Sequence, residues 1–106
     1  MLYKSTRGES PLVPFSEVLL GGLAPDGGLY MPENLPEFSL EEINSWSGLS
    51  FIQIAIKVLY PYVEDEIDKE VFSKLVQEAY QAFETDDVVS LKELGENRWV
   101  LELFHG

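Results

Sequence analysis

Hydrophobic positions in the middle of the chain repeat with a helical period. Across residues 71–83, apolar side chains recur every three or four positions with polar ones between them, as on an amphipathic helix that packs against a core. Residues 51–59 are apolar except at Gln53 and Lys57, which predicts the most buried helix of the domain. Pro61 is expected to end or kink it.

Two capping boxes mark helix starts. Ser39 is followed three residues later by Glu42, and Ser50 by Gln53. In this pattern the serine and the later side chain satisfy each other's backbone N–H groups. The first box predicts a short helix that ends near Trp46, and the second opens the apolar helix.

Two further helices are predicted on either side of these. Residues 15–23 place apolar side chains on one face, with Ser16 as the expected N-cap. Asp68 is the expected N-cap of the helix that carries the amphipathic pattern of residues 71–83. The acidic residues 64–66 are predicted to form an exposed link before this helix.

Short strands are predicted near both ends of the chain. Residues 2–5 and 29–31 are short extended segments, while residues 89–103 alternate apolar and polar positions around a turn at 95–97, as a hairpin does. The whole chain, residues 1–106, is therefore predicted to be one α+β domain: about four helices packed on a small, mostly antiparallel sheet with a C-terminal hairpin.

Composition narrows the classes of function. Nineteen acidic against seven basic residues leave a net charge of −12, which disfavours nucleic acid and anionic membranes as partners. There is no cysteine, so disulfides, thiolate zinc sites and a cysteine nucleophile are excluded. The single histidine, His105, excludes a histidine-rich metal site, and no apolar run has the length of a membrane span. We expect a cytoplasmic domain without a metal.

Three segments could carry chemistry, and each has a plainer interpretation. Ser5, Thr6 and Arg7 could grip a carboxylate or phosphate, or form a capped turn with a surface arginine. The glycine pairs at 21–22 and 27–28 could cradle a phosphate, but they match no P-loop or dinucleotide pattern, and ordinary turns are favoured.

The end of the chain and the acidic link also each have both a functional and a plainer structural interpretation. His105 and Gly106 follow a hydrophobic strand, where a site could form or a terminus could fray. Residues 64–70 are rich in carboxylates, but their spacing is not that of a calcium loop, so a solvated link is favoured over a metal site. Taken alone, the residues show no catalytic constellation.

Three blocks of the sequence together resemble one family. Residues 3–8 read YKSTRG, residues 15–32 read FSEVLLGGLAPDGGLYMP, and residues 101–106 read LELFHG. They are similar to the Y-x-S-T-R-G, A-P-D-G-G-L-Y-x-P and L-E-L-F-H-G blocks of threonine synthases that carry an N-terminal domain, and of their threonine-synthase-like relatives. The resemblance covers the chain from Tyr3 to Gly106.

The resemblance implies an enzyme dependent on pyridoxal phosphate (PLP), which converts O-phospho-L-homoserine and water into L-threonine and phosphate. In the family, L-E-L-F-H-G runs into P-T-x-A-F-K-D, whose lysine holds the cofactor as a Schiff base. That lysine would lie beyond Gly106, so we expect no catalytic residue and no cofactor in this chain, and an inactive domain on its own. Its partners would be the catalytic domains of the same parent protein.

The resemblance also selects candidates for residues beside the substrate site. They are Ser5, Thr6, Arg7, Asp26, Gly27, Gly28, His105 and Gly106. The alternative for all but the last two is that these turns hold the domain together or dock it. His105 is a possible hydrogen-bond donor near the cofactor.

Two other functions stay open at this point. One is the N-terminal domain of a threonine-synthase-like phospho-lyase, and the other is a free-standing acidic interaction module. An apolar docking surface is expected near Trp99, Leu103 and Phe104, because a domain separated from its partners exposes their interface. Self-association of the isolated chain through this surface is left open.

Overall fold

The computed structural model describes residues 1–81, 83 and 90–103 of the chain. Within these residues there are four α-helices: α1 (Phe15–Gly21), α2 (Leu40–Ser45), α3 (Phe51–Leu59) and α4 (Lys69–Gln81). There are five strands in the same residues: β1 (Leu2–Ser5), β2 (Val13–Pro14), β3 (Tyr30–Pro32), β4 (Ser90–Gly95) and β5 (Arg98–Glu102). The predicted α+β class with four helices and a C-terminal hairpin is confirmed. The strands form two small antiparallel sheets rather than one.

Strand β1 is the centre of a three-stranded sheet. Its neighbours are β2 and β3, both antiparallel to it, so that Tyr3 lies opposite Val13 on one side and Pro32 on the other. Strand β2 was not predicted, since two residues carry no alternating pattern. The register with β3 places Ser5 opposite Tyr30, which brings the start of the chain beside the turn that precedes β3.

Three of the four described helices begin at the N-cap residue that the sequence predicts. Both predicted capping boxes form, with Ser39 and Ser50 each accepting from the third helical residue. The predicted N-cap role of Ser16 is wrong. Pro14 occupies the N-cap position of α1 without a side-chain cap, and the backbone N–H of Ser16 lies 3.3 Å from both carboxylate oxygens of Glu66. A distant carboxylate therefore replaces the local cap.

Helix α3 ends where proline requires it to. It is followed by a 3-10 turn, Tyr60–Tyr62, which contains Pro61 and confirms the predicted break. Asp68 caps α4 as predicted, since its Oδ1 accepts from the backbone N–H of Glu70 at 2.8 Å. The helices of the middle region thus begin and end at residues that the sequence marks.

The core of the described residues is small. Its buried apolar side chains are Tyr3, Val13, Ala24, Ala55, Val63 and Val76. Tyr3 lies at the centre, where its hydroxyl donates to the carbonyl of Tyr62 at 2.9 Å and its ring centroid is 6.2 Å from that of Phe15. Burial raises the pKa of Tyr3, and the neighbouring Tyr62 and Glu66 add to this.

Helices α3 and α4 leave much of their apolar surface uncovered. Among the described residues of these two helices, only Ala55 of α3 and Val76 of α4 are buried, although α3 is apolar on nearly every side. An open apolar groove lies between α1, α3 and α4, and its lining includes Phe15, Leu59, Val63, Phe72, Leu75 and Tyr80.

The acidic link has more structure than predicted. Its side chains are exposed, as expected. Asp65, however, forms an ion pair with the Met1 ammonium group, and the Glu66 carboxylate accepts from the start of α1. The pKa of Glu66 is lowered most by its hydrogen bond with Ser16, and the backbone of Phe15 and the charge of the N-terminal ammonium group add to this. Two of the three carboxylates therefore fasten the chain start to the middle region.

The hairpin of β4 and β5, hereafter the hairpin, turns through Glu96 and Asn97. Both have positive φ, 49° and 58°, as two-residue loops of type I′ require. Leu91 lies opposite Leu101, and Glu93 opposite Trp99, so these pairs share one face. None of the described helices is long and apolar enough to cross a membrane.

Candidate functional site

A cluster of hydrogen-bonded polar groups surrounds the turn at residues 24–28, hereafter the Asp26 turn. The amide of Gly27 donates to the carbonyl of Ala24 at 2.8 Å, and the amide of Ala24 donates to the carbonyl of Gly28 at 3.0 Å. Gly27 has φ +77°, a conformation that glycine adopts at little cost. The predicted turn is therefore present, closed by its own main chain.

The carboxylate of Asp26 is the centre of this cluster. Its Oδ1 accepts from the Ser5 hydroxyl at 2.7 Å and from the amide of Gly28 at 2.9 Å. Its Oδ2 accepts from the amide of Glu9 at 3.1 Å. Hydrogen bonds to the ionised form stabilise it, and they lower the pKa of Asp26 to about 2, with the Ser5 hydroxyl as the largest cause.

Ser5 connects β1 to the Asp26 turn. It is only 4% exposed, and its hydroxyl oxygen also accepts from the amide of Arg7 at 3.1 Å. Gly28 makes this approach possible, because a Cβ built there would overlap the Ser5 hydroxyl oxygen and lie 3.1 Å from the Arg7 amide nitrogen. Gly27 is thus suited to the turn by its positive φ, and Gly28 by its lack of a Cβ.

Thr6 and Arg7 complete the connection on the exposed side. Thr6 exchanges two bonds with Leu29, because its amide donates to the Leu29 carbonyl at 2.8 Å and its Oγ1 accepts from the Leu29 amide at 3.0 Å. Arg7 Nη1 donates to the main-chain carbonyl of Asp26 at 2.8 Å. Both side chains remain exposed.

The structure brings six of the eight candidate residues together: Ser5, Thr6, Arg7, Asp26, Gly27 and Gly28. The remaining two, His105 and Gly106, lie outside the described residues. Sequence reasoning missed two members of the cluster. They are Glu9, through its amide, and Ser10, whose hydroxyl oxygen accepts from the Asp26 amide at 3.3 Å. Neither has a spacing that signals this role.

The chemistry open to this cluster is limited. Asp26 is held ionised by its donors, which makes it a poor proton acceptor near neutral pH. The amides of Gly27 and Gly28 both donate inside the cluster, so they are not available to a phosphate. Among the described residues, no group of three or more acidic or histidine side chains could hold a metal ion. The side chain of Arg7 is exposed, so its donor groups are accessible to a ligand.

Comparison with known proteins gives a consistent result. Residues 2–80 match the family model described as threonine synthase N terminus. Over 106 residues the chain is 53% identical to threonine synthase of Pseudomonas aeruginosa, covering 100% of this chain and 23% of that protein. Over 107 residues it is 41% identical to threonine synthase-like 2 of Rattus norvegicus, covering 100% of this chain and 22% of that protein.

Solved structures agree with the sequence relatives. PLP-bound threonine synthase from Brucella melitensis superimposes with a TM-score of 0.91 at 47% identity, over 100% of this chain and 23% of that one. Threonine synthase from yeast does so with a TM-score of 0.85 at 36% identity, over 99% and 22%. The chain thus spans less than a quarter of the length of these proteins. On the family match and these similarities, the chain belongs to the threonine synthase N-terminus family.

Proposed function

We propose that this chain is the N-terminal part of a PLP-dependent threonine synthase, whose complete form converts O-phospho-L-homoserine and water into L-threonine and phosphate. The observation that carries the proposal is the 53% identity to the Pseudomonas aeruginosa threonine synthase along the whole chain. The 41% identity to a threonine synthase-like protein is lower, which favours the synthase over the phospho-lyase alternative.

The described residues do not fit PLP by themselves. A cofactor held as a Schiff base needs a lysine in a protected pocket and amide donors for the phosphate. The five lysines of the chain are all exposed, and the amides of Gly27 and Gly28 are already used. Cofactor and catalysis would therefore belong to other parts of the parent protein, and no step of the reaction is assigned to this chain.

The proposed role of the chain is to dock on those catalytic domains. Two apolar surfaces support this role. One is the groove between α1, α3 and α4. The other is the hairpin face, where Trp99 and Leu101 are each 49% exposed. Leu103, just after the hairpin, is 71% exposed. Exposed apolar patches of this kind mark interaction surfaces.

The candidate site residues divide by exposure. Ser5 and Gly28 both donate to the Asp26 carboxylate, and these three residues would position the loop. Thr6 and Arg7 are exposed and would face the substrate site. Gly27 would permit the turn between them. We further propose that His105 and Gly106 lead the chain toward the cofactor lysine, with His105 as a donor close to the cofactor.

A chimera tests the proposed function. Residues 1–106 replace the matching segment of the Pseudomonas aeruginosa enzyme, and threonine formation from O-phospho-L-homoserine is measured. We expect activity within about tenfold of the parent enzyme, since about half of the segment is identical. A version of the enzyme that lacks the segment is expected to be inactive. A chimera that folds and binds PLP but forms no threonine would contradict the proposal.

A further inference from the structure

Arg7 is fixed in place on the surface of the Asp26 turn. Its Nη1 donates to the Asp26 carbonyl at 2.8 Å, and its backbone amide donates to the Ser5 hydroxyl oxygen. The guanidinium lies against Gly27, where an added Cβ would come within 2.9 Å of Nη1 and 3.5 Å of Cζ. An exposed arginine normally samples many rotamers, but here the guanidinium and the backbone amide of Arg7 are both hydrogen-bonded.

The charge of Arg7 has no carboxylate partner in the part of the chain that the structure describes. The carboxylate of Asp26 accepts from Ser5, Gly28 and Glu9, while Arg7 donates to the neutral main-chain carbonyl of the same residue. The chain has nineteen acidic residues, so an arginine without an ion pair is unexpected. Arg98 does pair, although loosely, with Glu96 at 3.7 Å.

The unused donors of Arg7 define the ligand chemistry. Within the described residues its Nε and Nη2 make no hydrogen bond. A planar guanidinium recognises two oxygens of a carboxylate or a phosphate at once. Because the turn already holds the group, a ligand of this kind would not have to order it, and preorganisation of this sort strengthens binding.

We propose that Arg7, held by the Asp26 turn, binds the oxyanion of a small molecule, a phosphate or a carboxylate group. Gly27 and the Asp26 carbonyl are positioning elements for the guanidinium. The proposal deepens the proposed role of Arg7 beside the substrate site and in that respect rests on the proposed function. The two are tested separately, because anion binding is measured on the 106-residue chain and threonine formation on the chimera.

The test follows the side-chain Nε–Hε NMR signals of the two arginines while inorganic phosphate or acetate is added at constant ionic strength. Arg98 is the internal control, because it is exposed and carries the same charge without such a support. We expect the Arg7 signal to saturate at a concentration at least tenfold lower than the Arg98 signal. The tighter of the two probes identifies phosphate or carboxylate as the ligand. Equal responses of the two arginines, or no response at Arg7, would overturn the proposal.

Two variants test the geometry. Arg7→Lys keeps the charge and removes the planar fork, and we expect at least tenfold weaker binding, followed through backbone amide signals of the turn. Gly27→Ala places a methyl group against the guanidinium and is expected to weaken binding while Arg98 is unaffected. Should Gly27→Ala unfold the turn, Arg7→Lys decides alone. Binding by Arg7→Lys as tight as that of the unmodified chain would refute the proposed fork.

Discussion

Strand β1 and the hairpin are both short antiparallel elements, but different contacts hold them. Strand β1 is paired on both sides and buries Tyr3 and Ser5, each with hydrogen-bond partners distant in sequence. Among the described strands, β4 and β5 of the hairpin pair only with each other, and the leucines and tryptophan of the hairpin remain about half exposed or more. The first element is completed by other residues of this chain, while the second presents apolar side chains that the described residues leave exposed.

The two elements illustrate two different roles of residues in a domain of a larger protein, internal stability and association with another surface. Polar side chains close an internal contact, since a buried hydroxyl or carboxylate without a partner is costly. Covering exposed apolar side chains with another surface is favourable, because it removes them from water. Substitutions at β1 should therefore act on the stability of this chain, and substitutions in the hairpin should act on association.

The largest effect is expected from Gly28→Ala. The added methyl overlaps the Ser5 hydroxyl oxygen and must separate β1 from the Asp26 turn, which should lower the free energy of unfolding by about 3 kcal/mol. The matched control is Gly21→Ala at the end of α1, where nothing lies within 4 Å of the new atom; it should stabilise by about 0.5 kcal/mol. Urea unfolding of both variants checks this, and similar midpoints would contradict it.

The next effect is on the pH dependence of stability. The pKa of Asp26 is about 2 in the folded chain and ordinarily 3.8, so its contribution is complete above about pH 4 and is lost as the pH falls through about 2. Asp26→Asn should remove this loss, and the two stability curves should converge as the pH falls. Glu42 and Glu66 also have lowered pKa values but are common to both proteins. Parallel curves between pH 4 and 2 would disprove the role of Asp26.

A smaller effect is expected from Tyr3→Phe. Loss of the hydroxyl leaves the Tyr62 carbonyl without its donor and should cost about 1 kcal/mol. Tyr30→Phe is the control in the neighbouring strand, since the Tyr30 hydroxyl has no hydrogen bond within the described residues. Thermal unfolding of the two variants measures the difference, and an equal loss in both would show that the hydroxyl bond contributes nothing.

The smallest effect on stability is expected after the hairpin. Leu103→Ser changes a side chain that is 71% exposed and should alter the free energy of unfolding by less than about 0.5 kcal/mol. The same change should reduce any self-association of the isolated chain in sedimentation experiments. Val13→Ala, at a buried position of β2, is the contrasting control and should cost about 2 kcal/mol. A large destabilisation by Leu103→Ser would mean that the hairpin is part of the core.

The helices could be predicted because their signals are local. Ser39 and Ser50 cap through residues only three positions away, so the information lies within one turn of chain. Ser16 failed as a cap for the opposite reason. Its helix is completed by Glu66, fifty residues later, and no local pattern encodes that contact. Strand β2 was missed likewise, because only its pairing with β1 defines it.

The candidate site could be predicted as a set of residues but not as an arrangement. The resemblance marked Ser5 and Asp26, yet their hydrogen bond depends on the register of β1 against β3. The roles of Glu9 and Ser10 depend on main-chain positions that no side-chain pattern reports. The exposure of Trp99 and Leu103 was predicted and is confirmed, while Phe104 lies outside the described residues.

The bond from Tyr3 to Tyr62 has a consequence for the order of folding. Synthesis proceeds from the N-terminus, so β1 leaves the ribosome before the other described strands, but the carbonyl that completes the Tyr3 contact follows 59 residues later. Contacts between residues far apart in sequence form slowly, because the intervening chain must be ordered first. The strands of the hairpin are only a few residues apart in sequence, so their pairing does not depend on distant parts of the chain. Strand β1 is therefore synthesised before the other described strands but is expected to be among the last to reach its final packing.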